Sequence, residues 1–364
     1  MLIDVIIKLV LAGVVLFTVL NLAGIQTWME RKQSALMQDR VGANRAYFTL
    51  PWRWAAPINF LLRKLGGLGL LHPLADIIKL LTKEDFTPST GNRFLHWLAP
   101  WLSVFFALVV FAAIPFGDHL ELFGRTIPLQ VAQLDAGLLY VLALASIGIY
   151  GVILAGMASG TNYSVLGGLR AASQMLAYEI ALGVSLVGII LWYGTLDLQQ
   201  IIRAQGGCFW GWIPAWGGFV QPLGCIIFMT AALAETKRIP FDLPEGEPEI
   251  IGYFVEYSGM KFGLFFLTDF VETILVAALT TVLFFGGWQI PWLAPNAFGP
   301  NLMALLGVLS FTIKVSCFLW LFMMIRWTLP RFRYDQLMRL GWKGLFPVSL
   351  ANIGVTGLLR ILVR

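Results

Sequence analysis

The sequence has few charged residues: only 12% of its 364 residues are Asp, Glu, Lys or Arg, whereas a soluble domain has about 25%. Hydrophobic residues make up 58% of the chain. This shortage of charge excludes an ordinary soluble enzyme, a disordered chain and a nucleic-acid-binding protein. The composition therefore predicts an integral membrane protein.

Residues that hold metals and redox groups are also scarce. Cys208, Cys225 and Cys317 are too few and too far apart to supply the ligands of an Fe–S cluster. The three histidines are scattered, and no glycine-rich dinucleotide motif follows a strand-like segment. We therefore expect no Fe–S cluster, flavin or metal on this chain, so that any electrons must come from another protein.

Eight apolar windows are long enough, or nearly so, for the roughly 20 residues that a membrane-spanning helix needs. They are Leu2–Trp28, Leu95–Phe116, Leu134–Ala158, Ala171–Tyr193, Phe219–Glu235, Phe262–Trp288, Leu302–Ile325 and Leu345–Val363. The fifth window is short, and the sixth contains two acids. These windows predict an all-α polytopic membrane protein.

We expect residues 1–364 to form a single membrane domain. It comprises span one at 1–28, a connection at 29–93, spans two to five at 95–235, an acidic connection at 236–261 and spans six to eight at 262–363. Nineteen of the 25 Lys and Arg residues lie in alternate connections, and the opposite connections carry only Arg125 and Arg203. The positive-inside rule places the basic connections in the cytoplasm and both termini on the periplasmic side.

The first connection contains an amphipathic pattern. Leu68, Leu71, Leu74, Ile78 and Leu81 recur at steps of three and four residues, with Asp76, Lys79 and Lys83 between them. This pattern predicts a helix that lies along the membrane interface. A helix that serves only as an anchor would have the same pattern.

Three of the acids inside predicted spans are candidates for a functional site. They are Glu179 in span four, and Asp269 and Glu272, three residues apart, in span six. A carboxylate at the middle of the bilayer costs roughly 2.5–3.5 kcal/mol, so such acids indicate a functional site. The pair could hold and release a proton near neutral pH; the alternative is a solvated position among the headgroups. Lys314 in span seven is a candidate internal partner for the pair, or alternatively a member of a structural ion pair.

The connection from Glu235 to Lys261 combines acids with Pro and Gly. Pro240, Pro244 and Pro248 prevent a continuous helix. Its acids would therefore lie on a stiff, jointed segment beside the membrane. A solvated charged surface is the competing interpretation.

Five stretches carry a resemblance to a known family. They are Glu30-Arg31-Lys32 with Gln38 to Arg45, Pro73 to Glu84, Leu166 to Glu179, Glu235 to Phe262, and Leu329 to Lys343. In these stretches, and in their order, the chain resembles the quinone-site membrane subunit of respiratory complex I, the H-type subunit of NADH–quinone oxidoreductase. Residues 46–66 look like an insertion relative to that family.

The resemblance implies a subunit of a proton-translocating NADH–quinone oxidoreductase, with quinone as substrate in a chamber shared with the peripheral arm. Arg31, Asp76 and Lys79 would line the chamber, and Arg40 and Arg45 would shape its mouth. Charge would pass from the quinone toward antiporter-like subunits through a series of acids. These acids are Glu179, Glu235, Asp242, Glu245, Glu247, Glu249, Glu256 and Asp269, with Glu272 as an additional member.

The same resemblance implies the partners and the location. The partners are peripheral-arm Fe–S and quinone-site subunits, small membrane subunits, antiporter-like subunits and lipid, with no nucleic acid. A bacterial inner (plasma) membrane is expected. Two alternatives remain at this point: a related subunit of a ferredoxin-fed complex or membrane-bound hydrogenase, and a stand-alone secondary transporter, although no internal repeat of the acidic connection is evident.

Overall fold

The computed structural model describes residues 2–52, 56–122, 124–209, 212–244, 252–293 and 298–363, and most of them are helical. The helices are α1 (Leu2–Met37), α2 (Ala56–Leu68), α3 (His72–Thr82), α4 (Arg93–Val109), α5 (Gly137–Ala158), α6 (Asn162–Tyr193), α7 (Leu198–Ala204), α8 (Gly217–Val220), α9 (Pro222–Glu235), α10 (Gly259–Phe284), α11 (Pro300–Thr328), α12 (Tyr334–Arg339) and α13 (Phe346–Val363). A 3₁₀ turn, Val110–Ala113, extends α4, and a π-helical turn, Leu340–Leu345, joins α12 to α13.

Two small antiparallel hairpins complete the secondary structure. In the first, β1 (His119–Leu122) pairs with β2 (Arg125–Pro128), with His119 opposite Pro128. In the second, β3 (Cys208–Phe209) pairs with β4 (Ile213–Pro214). Both hairpins lie in connections that the sequence predicted to be poor in basic residues.

Seven helical segments in the described ranges are long and apolar enough to cross a membrane. They are Ile3–Met37, Arg93–Ala113, Gly137–Ala158, Asn162–Tyr193, Gly259–Phe284, Pro300–Thr328 and Tyr334–Leu362. They confirm the polytopic all-α prediction and seven of the eight windows. Their ends differ from the prediction, because α1 continues past Trp28 to Met37 and α6 begins at Asn162 rather than at Ala171.

The predicted fifth span was wrong in length. Instead of one helix over Phe219–Glu235, the chain forms the short α8, breaks at Gln221 and continues as α9, which has 14 residues. At 1.5 Å per residue α9 is about 21 Å long, less than the roughly 30 Å hydrocarbon core. Pro222 starts α9, and proline lacks the N–H that would extend the helix backward.

The amphipathic segment is also broken. Residues 69–71, predicted as part of one helix, form a turn between α2 and α3, whose axes differ by 92°. Gly69 has a φ of +85°, and a Cβ there would lie 2.2 Å from the carbonyl oxygen of Ala43. The chain therefore passes itself at a point where only glycine fits.

Helix α10 is the central element, because it is buried along most of its length. Helix α5 packs on α4, where a Cβ at Gly151 would lie 2.8 Å from the Cβ of Ser103. Such small residues allow close helix packing in membranes, where lipid exerts no hydrophobic pressure between helices.

Helix α3 lies against both α1 and α10. A Cβ at Gly24 of α1 would approach that of Pro73 to 3.8 Å, and a Cβ at Gly263 of α10 would lie 2.8 Å from Leu80 Cδ1. Three helices from distant parts of the sequence therefore meet here. Their junction places the charged end of α1 beside the polar side of α3.

Candidate functional site

An ion pair joins α1 to α3. Arg31 Nη2 lies 2.5 Å from Asp76 Oδ2, and Arg31 Nη1 lies 3.4 Å from His72 Nδ1. The side chains of Arg31 and Asp76 are 43% and 31% exposed. The structure thus brings together two predicted quinone-site residues where a molecule outside this chain can reach them.

The other three predicted quinone-site residues do not join this ion pair in the described part of the chain. Lys79 lies three residues after Asp76 on α3 and is exposed. Arg40 donates a hydrogen bond to Gln38 Oε1 at 2.6 Å, and Arg45 is exposed. Lys79 therefore shares the Asp76 side of α3, whereas the positions of Arg40 and Arg45 do not test their predicted roles.

A buried lysine lies between the two acids of α10. Lys237 Nζ is 3.5 Å from Asp269 Oδ1 and 3.5 Å from Glu272 Oε2. The three side chains are 1%, 10% and 19% exposed. The Lys237 ammonium also lies 6.0 Å from the centre of the Tyr253 ring. This cation offsets the repulsion between two carboxylates that share a poorly solvated site.

Lys314, the partner that the sequence suggested for these acids, has another role. Its ammonium donates to the carbonyl oxygens of Phe285, Gly287 and Gln289 at 2.8, 3.0 and 2.7 Å, and it lies 4.4 Å from the Trp216 ring centre. The prediction was wrong because the chain just after α10 presents backbone carbonyl oxygens that lie outside a helix, and these attract a cation.

Glu235 and Glu272 line one cavity. The other lining side chains are mostly apolar, from α4, α5, α6, α9 and α10. The cavity offers about 40 Å³ to the centres of water molecules, enough for a few of them. Glu235 interacts electrostatically with both Glu272 and Glu179. Four predicted relay acids, Glu179, Glu235, Asp269 and Glu272, therefore form one cluster.

The far end of the cluster reaches α5. The hydroxyl of Ser146 on α5 donates a hydrogen bond to Glu179 Oε1 on α6. Because α5 and α6 pack side by side, this bond extends the polar path across two helices. Sequence reasoning missed Ser146, since a single serine in an apolar helix carries no distinctive signal.

A second ion network lies beside the first. Glu30 on α1 pairs with Arg326 of α11, and its other oxygen lies 3.8 Å from Arg238 Nη1. The Arg238 guanidinium lies 4.1 Å from the centre of the Phe270 ring on α10. Glu30 directly precedes Arg31, and Lys237 directly precedes Arg238. Two pairs of consecutive residues therefore connect the Arg31–Asp76 ion pair to the buried acids.

The sequence did not predict a site role for Glu30, Lys237, Arg238 or Arg326. The basic residues indicated only the orientation of the spans, and Glu30 belongs to one of the stretches that resemble the family. A usable signal was present, because Lys237 and Arg238 follow Glu235 almost immediately. Opposite charges so close to a buried acid indicate ion pairing as well as topology.

The segment that carries Lys237 is held on both sides. Gln174 Nε2 of α6 donates to the carbonyl oxygens of Ala234 and Phe241 at 2.7 and 2.6 Å. Asp242, a predicted relay acid, pairs with Arg331 at 2.6 Å. These contacts fix the turn at Lys237, where φ is +56°.

The remaining predicted acids lie farther along the acidic connection. Glu245, Glu247 and Glu249 are outside the described residues. Glu256 is half-buried and precedes Tyr257, whose ring stacks on His96 with a centroid separation of 4.0 Å. Burial raises the pKa of the Tyr257 phenol, so this hydroxyl stays protonated at physiological pH.

The clustered acids are not arranged as metal ligands. Within the ranges that the structure describes, no group of three or more His, Cys, Asp or Glu residues is placed to hold a metal ion.

Comparison with known proteins gives matches along nearly the whole chain. A family model described as NADH dehydrogenase matches residues 9–357. The H subunit of NADH-quinone oxidoreductase from Flavobacterium psychrophilum is 42% identical over 361 residues, which cover 98% of this chain and 97% of the relative. The H subunit numbered 1 from Geobacter metallireducens is 44% identical over 360 residues, covering 99% and 98%. The H subunit from Thermomicrobium roseum is 45% identical over 359 residues, covering 96% and 95%.

Proposed function

The chain belongs to the NADH dehydrogenase family, and on that premise we propose that it couples quinone reduction to a buried series of charged side chains. It is a membrane subunit of an NADH–quinone oxidoreductase, a proton-translocating enzyme of several subunits. The names of the relatives fit this function and not a ferredoxin-fed complex, a hydrogenase or a stand-alone transporter.

The proposed quinone head group binds beside Arg31 and Asp76, with His72 and Lys79 on the same side of α3. Reduction of a quinone places negative charge in a poorly solvated space, where nearby cations stabilise it. The exposure of the Arg31–Asp76 pair supports this placement, because a quinone shared with a partner subunit must reach it. Apolar surfaces of α1, α3 and α10 would enclose the tail, and Arg40 and Arg45 would lie toward the entrance.

The proposed charge relay follows the two ion networks. It starts at Asp76 and Arg31, passes through Glu30 and Arg238, and reaches Lys237 with Asp269 and Glu272. From there Glu235 and Glu179 continue it, and the cavity that Glu235 and Glu272 line provides a route for a proton. The observation that carries the proposal is the Lys237 ammonium held between two buried carboxylates, one residue from Arg238.

In this mechanism a change of charge at the quinone alters the pairing of Arg31. The field at Glu30 and Arg238 changes in turn, because these residues are adjacent to the first pair in sequence or in space. The strength with which the Lys237 ammonium interacts with each of Asp269, Glu272 and Glu235 then changes. Because these acids are coupled, their protonation changes together. Electrons come from a peripheral-arm Fe–S subunit, and the change passes to antiporter-like subunits. Asp242, Glu245, Glu247, Glu249 and Glu256 would connect the quinone side to this cluster.

The relay can be tested at Glu30, which joins its two ion networks. Glu30→Gln in the assembled complex should lower NADH–quinone turnover and proton pumping together. Electron transfer from NADH to a soluble acceptor such as ferricyanide should be unchanged, since it bypasses the quinone. Glu121→Gln, an exposed acid on β1, is the matched control. Normal quinone turnover and pumping in Glu30→Gln would contradict the relay.

We further propose the plasma membrane of a bacterium as the location, with both termini on the periplasmic side. This orientation needs eight crossings, namely the seven long helices and, as the eighth, α8 together with α9. The three relatives described above are bacterial, and nineteen of the 25 basic residues lie in the connections placed in the cytoplasm. Alkaline phosphatase fused after residue 364 should be active in the periplasm. An inactive fusion that is fully synthesised would reverse the orientation.

A further inference from the structure

One basic segment takes no part in the proposed relay. From residue 40 to residue 75 the chain has no Asp or Glu, although Asp39 and Asp76 border it directly. The basic residues of this segment are Arg40, Arg45, Arg53, Arg63 and Lys64. It includes α2 and the stretch that looks like an insertion relative to the family. Such a segment attracts an anionic surface.

One face of α2 is fixed to the chain that precedes it. Asn59 Nδ2 donates to the carbonyl oxygen of Leu50 at 3.0 Å, and the Leu50 N–H donates back to Asn59 Oδ1 at 2.8 Å. Two turns later, a Cβ at Gly66 would lie 2.7 Å from the Cβ of Tyr47. Asn59 and Gly66 are seven residues apart and share this inner face.

The opposite side of α2 has an apolar stripe. Ile58, Leu61 and Leu68 recur at steps of three and seven residues, so they lie along one line of the helix. All three are exposed, Leu61 by 56%. No described side chain of this protein covers the stripe fully, and exposed aliphatic residues in a row mark a binding surface.

Two basic residues lie on the flank of α2 between the apolar stripe and the inner face. Arg63 and Lys64 are both exposed, and the Lys64 ammonium lies 5.0 Å from the centre of the Phe60 ring. As consecutive residues they leave the helix about 100° apart, so Lys64 borders the apolar stripe and Arg63 borders the inner face. This arrangement is typical of helices that lie in the headgroup layer of a membrane.

The position of α2 agrees with its surface. Trp28, at the end of the predicted apolar part of α1, donates its indole N–H to the carbonyl oxygen of Leu68 at 2.8 Å. Tryptophan is enriched where a span leaves the hydrocarbon layer. The last turn of α2 is thus held at that level by a direct hydrogen bond to α1.

We propose that α2 is an interfacial helix that binds anionic phospholipids. Ile58, Leu61 and Leu68 insert among the upper acyl carbons, while Arg63 and Lys64 contact lipid phosphates. A lipid surface fits better than a protein partner because α2 presents an apolar stripe and two basic residues on the adjoining flank, which match the acyl layer and the phosphate layer of a membrane. The lack of acids over residues 40–75 fits the same occupant.

The experiment places the photoreactive amino acid p-benzoyl-phenylalanine at position 61 of the assembled complex. The complex is reconstituted in vesicles of phosphatidylcholine with a minority of phosphatidylglycerol and then irradiated. We expect lipid adducts on the peptide that contains α2, found by mass spectrometry. An adduct to another subunit, or none, would overturn the proposal.

A charge variant tests the anionic preference. Phosphatidylglycerol should be enriched among the adducts by at least about threefold over its share of the vesicle, since each basic residue near a membrane favours anionic lipid. Arg63→Gln with Lys64→Gln should bring the adducts back to the bulk share. The matched control, Arg333→Gln with Lys343→Gln, removes two exposed charges from the connection between α11 and α13 and should leave the enrichment unchanged.

If phosphatidylglycerol makes up the same share of the adducts before and after the α2 substitutions, the binding of anionic lipid is refuted. This experiment measures lipid adducts and not enzyme activity. A failure of the lipid proposal is therefore distinguishable from a failure of the charge relay.

Discussion

Lys237 Nζ lies at the same distance, 3.5 Å, from Asp269 Oδ1 and Glu272 Oε2, and this pair of contacts joins the acidic connection to α10. The lysine side chain is almost fully buried, so its ammonium depends on these carboxylates for stabilisation. The carboxylates depend on it in return. Changes at either partner therefore affect both the stability of the subunit and the balance of charge in the cluster.

Removal of the buried cation should destabilise the subunit. Lys237→Met leaves two neighbouring carboxylates without their ammonium, and loss of one partner of a buried ion pair costs about 3–5 kcal/mol. We expect less assembled complex and a lower temperature of half-inactivation, measured by native gel and by NADH–quinone turnover after heating. The double variant Lys237→Met/Glu272→Gln, which removes charge of both signs, should regain part of the loss. No difference between the single and double variants would argue against the pairing.

Glu235 should be required for coupling rather than for assembly. Glu235→Gln keeps the shape of the side chain but cannot exchange a proton, and lost acid–base function usually costs at least about tenfold in rate. We expect NADH–quinone turnover and proton pumping to fall by that amount, while complex yield and NADH–ferricyanide activity stay normal. Glu247→Gln, at a predicted relay acid outside the described residues, should also lower turnover and pumping. Full activity in both variants would remove the basis of the relay.

Asp76 should affect quinone use more than assembly. Asp76→Asn removes the carboxylate that orients Arg31, and a hydrogen bond to a charged group is worth about 1.5–3 kcal/mol. The expected result is a rise of about tenfold in the apparent KM for a short-chain quinone, measured by titration of the complex. Asp85→Asn is the control, since Asp85 is an exposed partner of Lys261 at 3.0 Å. A loss of assembly with an unchanged KM would instead make the role of Asp76 architectural.

Lys314 should contribute stability without changing quinone kinetics. Lys314→Met leaves the carbonyl oxygens of Phe285, Gly287 and Gln289 without their shared donor. We expect a loss of about 3 kcal/mol or more, because several charge-assisted hydrogen bonds and a cation–π contact disappear together. The measurement is the half-inactivation temperature, with the quinone KM as the readout that should not move. A changed KM at normal stability would point to a functional role instead.

The turn between α2 and α3 gives a paired test with its own control. Gly69→Ala should cost about 2 kcal/mol or more, because Gly69 has a left-handed φ and its new Cβ would collide with the Ala43 carbonyl oxygen. Gly67→Ala adds the same atom where nothing lies within 4 Å. The half-inactivation temperature should therefore fall in Gly69→Ala and stay close to its normal value in Gly67→Ala, although the two positions are only two residues apart. Equal stabilities would show that the 92° bend does not depend on Gly69.

The helices could be predicted from the sequence because apolar length is a local property, and seven windows are long apolar helices. The break before α9 was harder to predict, since Pro222 follows an apolar run that looks continuous in composition. The acids Asp269 and Glu272 were found because carboxylates inside a span are unusual. Their positions on one face of α10 followed from helical spacing alone.

The partner of these acids could not be found in the same way. Lys237 reaches them because the chain turns at a left-handed residue and is clamped by Gln174 from α6, a tertiary arrangement that no local pattern encodes. Lys314 looked equally suitable, since it too lies in an apolar helix. Its ammonium instead binds backbone carbonyls, and backbone groups leave no trace in side-chain composition. Charge partners across helices therefore require the folded arrangement.

Glu30 and Arg31 are neighbours on α1, so their side chains leave the helix about 100° apart and serve different ion networks. Any rotation of α1 about its own axis therefore moves both contacts at once. Helix α1 therefore couples the Arg31–Asp76 contact to the contacts of Glu30. A substitution that changes the packing of α1 would therefore disturb the quinone-side ion pair and the Glu30 ion network together.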